Sequence, residues 1–350
     1  MASKVFWSDY VESSCRQNYS YFHSADFMIT VYHFMALFTI PFSIFTFYVI
    51  IRVTPKKMEN MKVPMLIAHV WSTNLDLCFT VYAAPFTFFP GASGLPLGLL
   101  AVLEMPSKWI VYIGHLSVII MSVNFVILLE NRHSQISIIK FKIPNQRIRT
   151  IFFIVNYLLA FLYILPFYLD DEDQLKLRSV LLNIIKCPSI EFYNKHTVVL
   201  VKGGELSVLI SVTSGLIIVI GQAIFFSGHS VYHLNYAENA NVSEATKALQ
   251  RKFLGYVIMQ MTIPWTVLVC PILYSLYAYK YDYYNQAFNN ISMIIMSMHG
   301  LLSTSCILYI IKPYREFVLS IIKRNNDFNA NEMWATTAQP SSIKVGVFIP

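Results

Sequence analysis

The sequence predicts an all-α membrane protein, a seven-transmembrane helix bundle with its amino terminus outside. Three observations carry this. The chain is 56% hydrophobic and only 13% charged, where soluble domains average about 25% charged. Seven apolar stretches recur along it, each long enough for a helix to cross a hydrocarbon core of about 30 Å. Seventeen of the 26 Lys and Arg residues fall in three alternate connections and the carboxyl-terminal tail, the bias that marks a cytoplasmic face. The net charge of +7 is therefore read as orientation charge and not as a nucleic-acid footprint.

Residues 1–26 form an extracellular segment. It holds Lys4, Asp9, Glu12, Arg16 and Asp26 without an apolar run, so no cleavable signal peptide is read there and the first span serves as the targeting signal. Asn18-Tyr19-Ser20 is a glycosylation acceptor on this side. The spans are 27–51, 63–89, 109–129, 151–169, 208–226, 253–277 and 291–311. Arg52, Lys56, Lys57 and Lys62 lie inside of the first span while Asp26 lies outside it, which sets the orientation.

The third span is read as the central post. Tyr112, His115, Ser117, Ser122 and Asn124 line its length, and polar groups in hydrocarbon need partners on other helices. The fourth span contains Asn156 and Pro166. After the seventh, residues 312–324 place Phe317/Ile321 and Val318/Ile322 at i,i+4 spacing. They predict a short helix on the inner membrane surface; an extension of the seventh helix past Pro313 is the competing reading. Residues 325–350 are polar without helical period and are expected to be a disordered cytoplasmic tail.

Few residues carry chemistry. Asp76 is the one Asp, Glu, Lys or Arg inside the seven stretches, and an intramembrane carboxylate requires a partner or a polar cavity. It is read either as a conformational switch bonded to groups such as Asn124 or Ser303, or as a brace between helices. Glu130-Asn131-Arg132 closes the third span and is read as an ionic latch that frees Arg132 for a cytosolic partner, or as ordinary interfacial charge. His115 and His299 contact a ligand, sense pH, or simply bond within the bundle. Gln260, Pro264, Trp265 and Pro271 mark the sixth span, whose prolines suggest a hinge.

No enzyme is expected. HExxH, a Walker loop and paired intramembrane aspartates are absent from the sequence. Gly91-Ala92-Ser93-Gly94 matches the GxSG of rhomboid proteases, with His299 as a conceivable base, but it lies in a Pro/Gly-rich outer loop where a turn is the simpler reading. His229 and His233 stand four apart without a third metal ligand. No cofactor or metal is expected. Cys78, Cys270 and Cys306 fall in spans and read as packing residues, while Cys15 and Cys187 share the outer face.

The chain resembles the nematode serpentine chemoreceptors of class H, the Srh family of the Str superfamily of seven-transmembrane G-protein-coupled receptors. The resemblance rests on Thr54-Pro55-Lys56-Lys57-Met58, Trp71-Ser72 with Leu75-Asp76, and Phe89-Pro90. Gly94-Leu95-Pro96-Leu97-Gly98, Glu130-Asn131-Arg132, Gln260 with Ile263-Pro264, and Pro313-Tyr314-Arg315 complete it in order. It covers about residues 5–325. It implies a chemosensory receptor in the plasma membrane, in the cilium of a sensory neuron. Glu130-Asn131-Arg132 resembles the acidic-Arg-aromatic motif of rhodopsin-like receptors, with the arginine one residue late. Pro313-Tyr314-Arg315 stands near the place of their NPxxY. No cysteine opens the third helix, so the resemblance suggests Cys15–Cys187 as a substitute disulfide.

The expectation is that a small, fairly apolar ligand binds between the outer halves of the helices, at Tyr112, His115, Trp265 and His299. Binding would swing the sixth helix about Pro264 and open a cleft beside Arg132 for a heterotrimeric G protein, with Asp76, Asn124, Glu130, Asn131, Tyr314 and Arg315 in the switch. The alternatives are a ligand-gated cation channel with the amino terminus inside, and a transporter or membrane scaffold. No nucleic-acid partner is expected.

Overall fold

Among the described residues, six helices are long and apolar enough to cross a membrane. The computed structural model describes residues 20–136, 139, 141–143, 145–169, 173–185, 187–201, 206–236 and 243–323. Asn18, Cys15 and the tail 325–350 lie outside the described residues. The helices named below are α1 (Ala25–Val53), α2 (Glu59–Leu77), α3 (Ser107–Gln135), α4 (Gln146–Tyr163), α5 (Leu206–Asn235) and α6 (Glu244–Tyr281). Helix α7 has two segments, Gln286–Ser297 and His299–Ile310, and α8 is Lys312–Ile322.

Side-chain caps start several of them. Ser24 accepts from the Phe27 N–H at 3.2 Å, Ser243 from Thr246 at 3.3 Å, and Asn285 from Phe288 at 3.1 Å. Each satisfies one of the N–H groups a helix start leaves without an internal acceptor. The Ser243 cap begins α6 well ahead of residue 253, and α5 runs on to Asn235, past residue 226. Both helices project beyond their apolar stretches because helix geometry tolerates polar residues once packing has nucleated it.

Helix α2 is not among these six. It has 19 residues including Glu59, Lys62 and Asp76, and continues as a π-helical turn, Cys78–Tyr82. It packs against α1, α3 and α7. The sequence stretch 63–89 is corrected at both ends: the helix starts at Glu59 and stops at Tyr82, and Pro85–Thr87 is a strand. Pro85 lacks an N–H and disfavours helical backbone at the residue before it; Ala84 takes a φ of 41°.

The strand belongs to a three-stranded antiparallel sheet of β1 (Pro85–Thr87), β2 (Ala92–Pro96) and β3 (Val198–Val201). Strands β1 and β2 pair as Pro85↔Pro96, Phe86↔Leu95 and Thr87↔Gly94. Strand β3 arrives from the connection between α4 and α5 and pairs Val198 with Gly94 and Val199 with Ser93. A Cβ at Gly98, just beyond β2, would fall 2.5 Å from the Tyr82 carbonyl oxygen, so the chain leaves the sheet only through glycine. Phe86, Phe88 and Phe192 stack edge-on beneath the strands and join the main core with Leu181 and Met293.

At the opposite end, Ile311 is extended (φ −80°, ψ 107°) and separates α7 from α8. Residues 312–324 thus form a helix of their own over Lys312–Ile322 and not a continuation of the seventh span. Tyr314 anchors it, with no exposed surface.

Candidate functional site: a roofed apolar cavity and a polar inner end

A cavity of about 430 Å³ lies under the sheet, between α3, α4, α5 and α6. Its roof is β2 with Leu200 of β3. Its walls include Ile110, Val118, Leu159, Ile218, Trp265 and Met293, and no Asp, Glu, Lys or Arg lines it among the described residues. Such a chamber favours an apolar or neutral molecule, because it offers a charge no counter-ion.

Of the four residues the sequence suggested for ligand contact, His115 and Trp265 line the cavity. His115 Nδ1 is hydrogen-bonded to the Tyr168 hydroxyl. Tyr112 and His299 lie outside the lining. Tyr112 donates from its hydroxyl to the Phe161 carbonyl at 2.9 Å and packs edge-on against Trp109 and Tyr168. Its position on α3 turns it toward α4. His299 is fully buried beside Phe125, below the cavity in the core. Composition gave no way to tell these faces apart, because α3 has polar residues on several sides.

The roof is held from outside the spans. Arg178, on the short helix Gln174–Ile184, donates to the Asn194 carbonyl at 3.0 Å and the Lys195 carbonyl at 3.1 Å, and also to Thr197. Burial lowers its pKa from the ordinary arginine value, yet a guanidinium stays charged. Gln174 Oε1 accepts from the Val199 N–H at 2.9 Å. Neither residue was singled out in the sequence. Ser93 donates to the Phe88 carbonyl at 3.1 Å within the hairpin; Ala92, Ser93 and Gly94 of the GxSG run belong to strand β2, and the turn expected there falls just before it, at Phe89 and Pro90. Cys187, in the same connection between α4 and α5, is disulfide-bonded.

In the core, Asp76 accepts the Gly300 N–H at 2.8 Å. The expected contacts with Asn124 or Ser303 are replaced by this one. Asn124 instead accepts from the Tyr157 hydroxyl at 2.8 Å and donates to the Ile120 carbonyl. It therefore ties α3 to α4.

The inner end of α3 also differs from the latch expected. Arg149, at the start of α4, donates from Nε to both oxygens of Glu130, at 2.9 and 2.8 Å. Its Nη2 reaches Asn131 Oδ1 at 2.7 Å. Glu130 and Asn131 are thus held by α4. Arg132, also buried, bonds Gln135 at 2.8 Å and lies 4.5 Å over the Phe253 ring of α6. The next residue, His133, contacts His229 of α5 at 2.8 Å. Nothing in the sequence sets Arg149 apart from the other cations of the connection between α3 and α4.

Tyr314 and Thr54 meet at 2.6 Å. Thr54 already donates to the Ile50 carbonyl, so the Tyr314 hydroxyl is the donor between them. Arg315 donates to the Tyr309 carbonyl at 3.2 Å and lies over that ring. Pro264 falls in the continuous run of α6; its side chain lies outside the described residues.

Two comparisons bear on this architecture. The family profile described as "Serpentine type 7TM GPCR chemoreceptor Srh" matches residues 23–324. The chain belongs to the Srh family. It is also 24% identical over 290 residues to "Serpentine receptor class H-72" of Caenorhabditis elegans, covering 83% of each chain. Srh proteins are serpentine chemoreceptors of the Str superfamily, signalling receptors and not enzymes. Of the family-like motifs in the sequence, the Thr54 and Pro313-Tyr314-Arg315 runs touch each other, while Asp76 reaches Gly300 of α7, outside any of those motifs.

Proposed function

We propose that this Srh protein is a chemosensory receptor in which a small molecule occupies the roofed cavity and a heterotrimeric G protein engages the opposite end. The observation that carries the reading is the pairing of an uncharged, apolar chamber at one end with a buried, uncommitted arginine at the other. Arg132 has Gln135 and the Phe253 ring for partners while Glu130 belongs to Arg149. An outward movement of α6 takes Phe253 away and exposes Arg132, so ligand contacts on Trp265 of the same helix couple the two ends.

This reading takes α2 as a seventh span, with the sheet outside the cell and α8 on the cytoplasmic surface. The Lys and Arg distribution supports that orientation. The plasma membrane of a sensory cilium is the proposed location, and Cys15–Cys187 the proposed bridge, both on the outer side. Asn18 is the proposed glycosylation site.

Epitopes at each terminus, stained on intact and permeabilised cells, test the orientation. The amino-terminal tag is expected to stain without permeabilisation and the other only after it; the reverse result removes Arg132 from the cytosol. In a G-protein reporter assay, Arg132→Ala is expected to abolish signalling with surface staining unchanged. Retained signalling rejects the coupling role.

A further inference from the structure

The cavity reaches the seam between α4 and α5. Helices α4 and α5 bridge near the roof, where the Tyr163 hydroxyl meets Ser214 Oγ at 3.2 Å and accepts the Gly215 N–H at 3.1 Å. They bridge again near the inner end, where the Phe152 and Phe226 rings pair at 6.0 Å. Between these bridges the two helices share no hydrogen bond or ring contact among the described residues. Two residues facing this gap, Leu159 of α4 and Ile218 of α5, line the cavity and are also 55% and 54% exposed. A side chain that borders an internal chamber and the outer surface at once marks a passage between them. Both helices are apolar enough to span a membrane and are scarcely buried by the rest of the chain, so the passage opens onto hydrocarbon, while the sheet covers the end of the chamber.

One polar group waits inside. Gln222 of α5 lines the cavity, and its Oε1 is buried without a hydrogen-bond partner among the described residues. A buried acceptor left unpaired costs about 1–3 kcal/mol, and a ligand hydroxyl or N–H recovers it.

We propose that the gap between α4 and α5, framed by Tyr163 above and Phe152–Phe226 below, is a lateral portal that admits the ligand from the bilayer, and that the ligand is an uncharged lipophilic molecule donating a hydrogen bond to Gln222. The proposal rests on the reading of the cavity as a ligand site. Hydrocarbon excludes charged molecules and concentrates neutral ones, so the route and the chamber select the same class.

The test uses the full chain reconstituted in lipid vesicles, with a medium-chain primary alcohol carrying a diazirine as the photoreactive probe. Its alkane and quaternary ammonium counterparts serve as comparisons. Flash illumination at increasing times after mixing, followed by peptide mapping, reads the rate and plateau of labelling at the cavity walls. Absence of cavity adducts with the alcohol and alkane overturns the cavity reading itself. In a Cys270→Ser background, Ile218→Cys is modified after reconstitution with a bulky methanethiosulfonate, and Leu159→Cys likewise, so that modified and unmodified protein share one folded preparation. Plugging is expected to slow alcohol labelling about tenfold, a change within the spread of association rates among variants of one complex. Cavity labelling at an unchanged rate in both variants overturns the portal and leaves the cavity standing. Gln222→Leu is expected to lower labelling by the alcohol relative to the alkane about fivefold, the worth of one hydrogen bond. An unchanged ratio, or ammonium labelling equal to that of the alcohol, overturns the ligand class.

Discussion

Asp76 of α2 closes a break in α7 by accepting the Gly300 N–H at 2.8 Å. The break lies at Met298, between the two segments of α7. Gly300 is the second residue of the new segment, so its N–H has no acceptor within that helix. A carboxylate at a helix start also sits favourably in the helix dipole. This buried acid is therefore a cap delivered from a neighbouring helix.

The fit allows no side chain at position 300. A Cβ there would stand 1.6 Å from Asp76 Oδ2. Gly300→Ala is expected to prevent folding, read as loss of surface staining against total protein. Asp76→Ala alone leaves the N–H unpaired and should cost about 1–3 kcal/mol, seen as a lower melting temperature of solubilised receptor. Combining the two is expected to restore expression above that of Gly300→Ala. No recovery would show that the clash is not with the carboxylate.

Glu130 has a side chain 1% exposed and depends on Arg149 for its charge. Removing one member of a buried pair strands the other, at about 3–5 kcal/mol. Arg149→Ala should therefore be among the most destabilising changes at the inner end. Glu130→Gln with Arg149→Met should recover most of that loss. A thermal-unfolding series on the single and double variants measures it; equal stability of Arg149→Ala and wild type would rule out the pairing.

Phe253 is the α6 contact that covers Arg132. A cation–π contact is worth about 1 kcal/mol, so Phe253→Ala should shift the resting equilibrium about fivefold toward the open form. The expected readout is raised ligand-independent G-protein signalling at matched surface expression. Lowered basal signalling would mean that Phe253 supports the active form instead.

Tyr314 donates to Thr54 across the foot of α1 and α8. Tyr314→Phe and Thr54→Val should each cost about 1 kcal/mol, and the double variant little more than either. Full additivity in melting measurements would show that the two hydroxyls act independently.

Much of the helical fold was legible because membrane spans declare themselves by length and lack of charge. The sheet was not. Residues 85–87 sit inside an apolar run, and only Pro85 hints that the helix has ended. The short strand 198–201 reads as one more apolar stretch in a long loop. The site divided in the same way. Residue types such as Asp76, Arg132 and Trp265 stood out, but their partners did not. Gly300 offers a backbone N–H, which no side-chain search finds. Arg149 is one cation among several, and Tyr157 of α4 one of 22 tyrosines. Gln222 became visible only as an amide oxygen without a partner beside a cavity.

The roof of the cavity is joined by backbone hydrogen bonds between strands from two distant connections. Main-chain pairing is indifferent to most side chains, so residues of β2 and β3 that face the chamber can be exchanged without dismantling the sheet. The spans below carry interlocked partners and tolerate little change. On the proposed reading of the chamber as the ligand site, a lineage of such proteins can acquire new tastes by rewriting a few roof positions, with the proposed transducing end left alone.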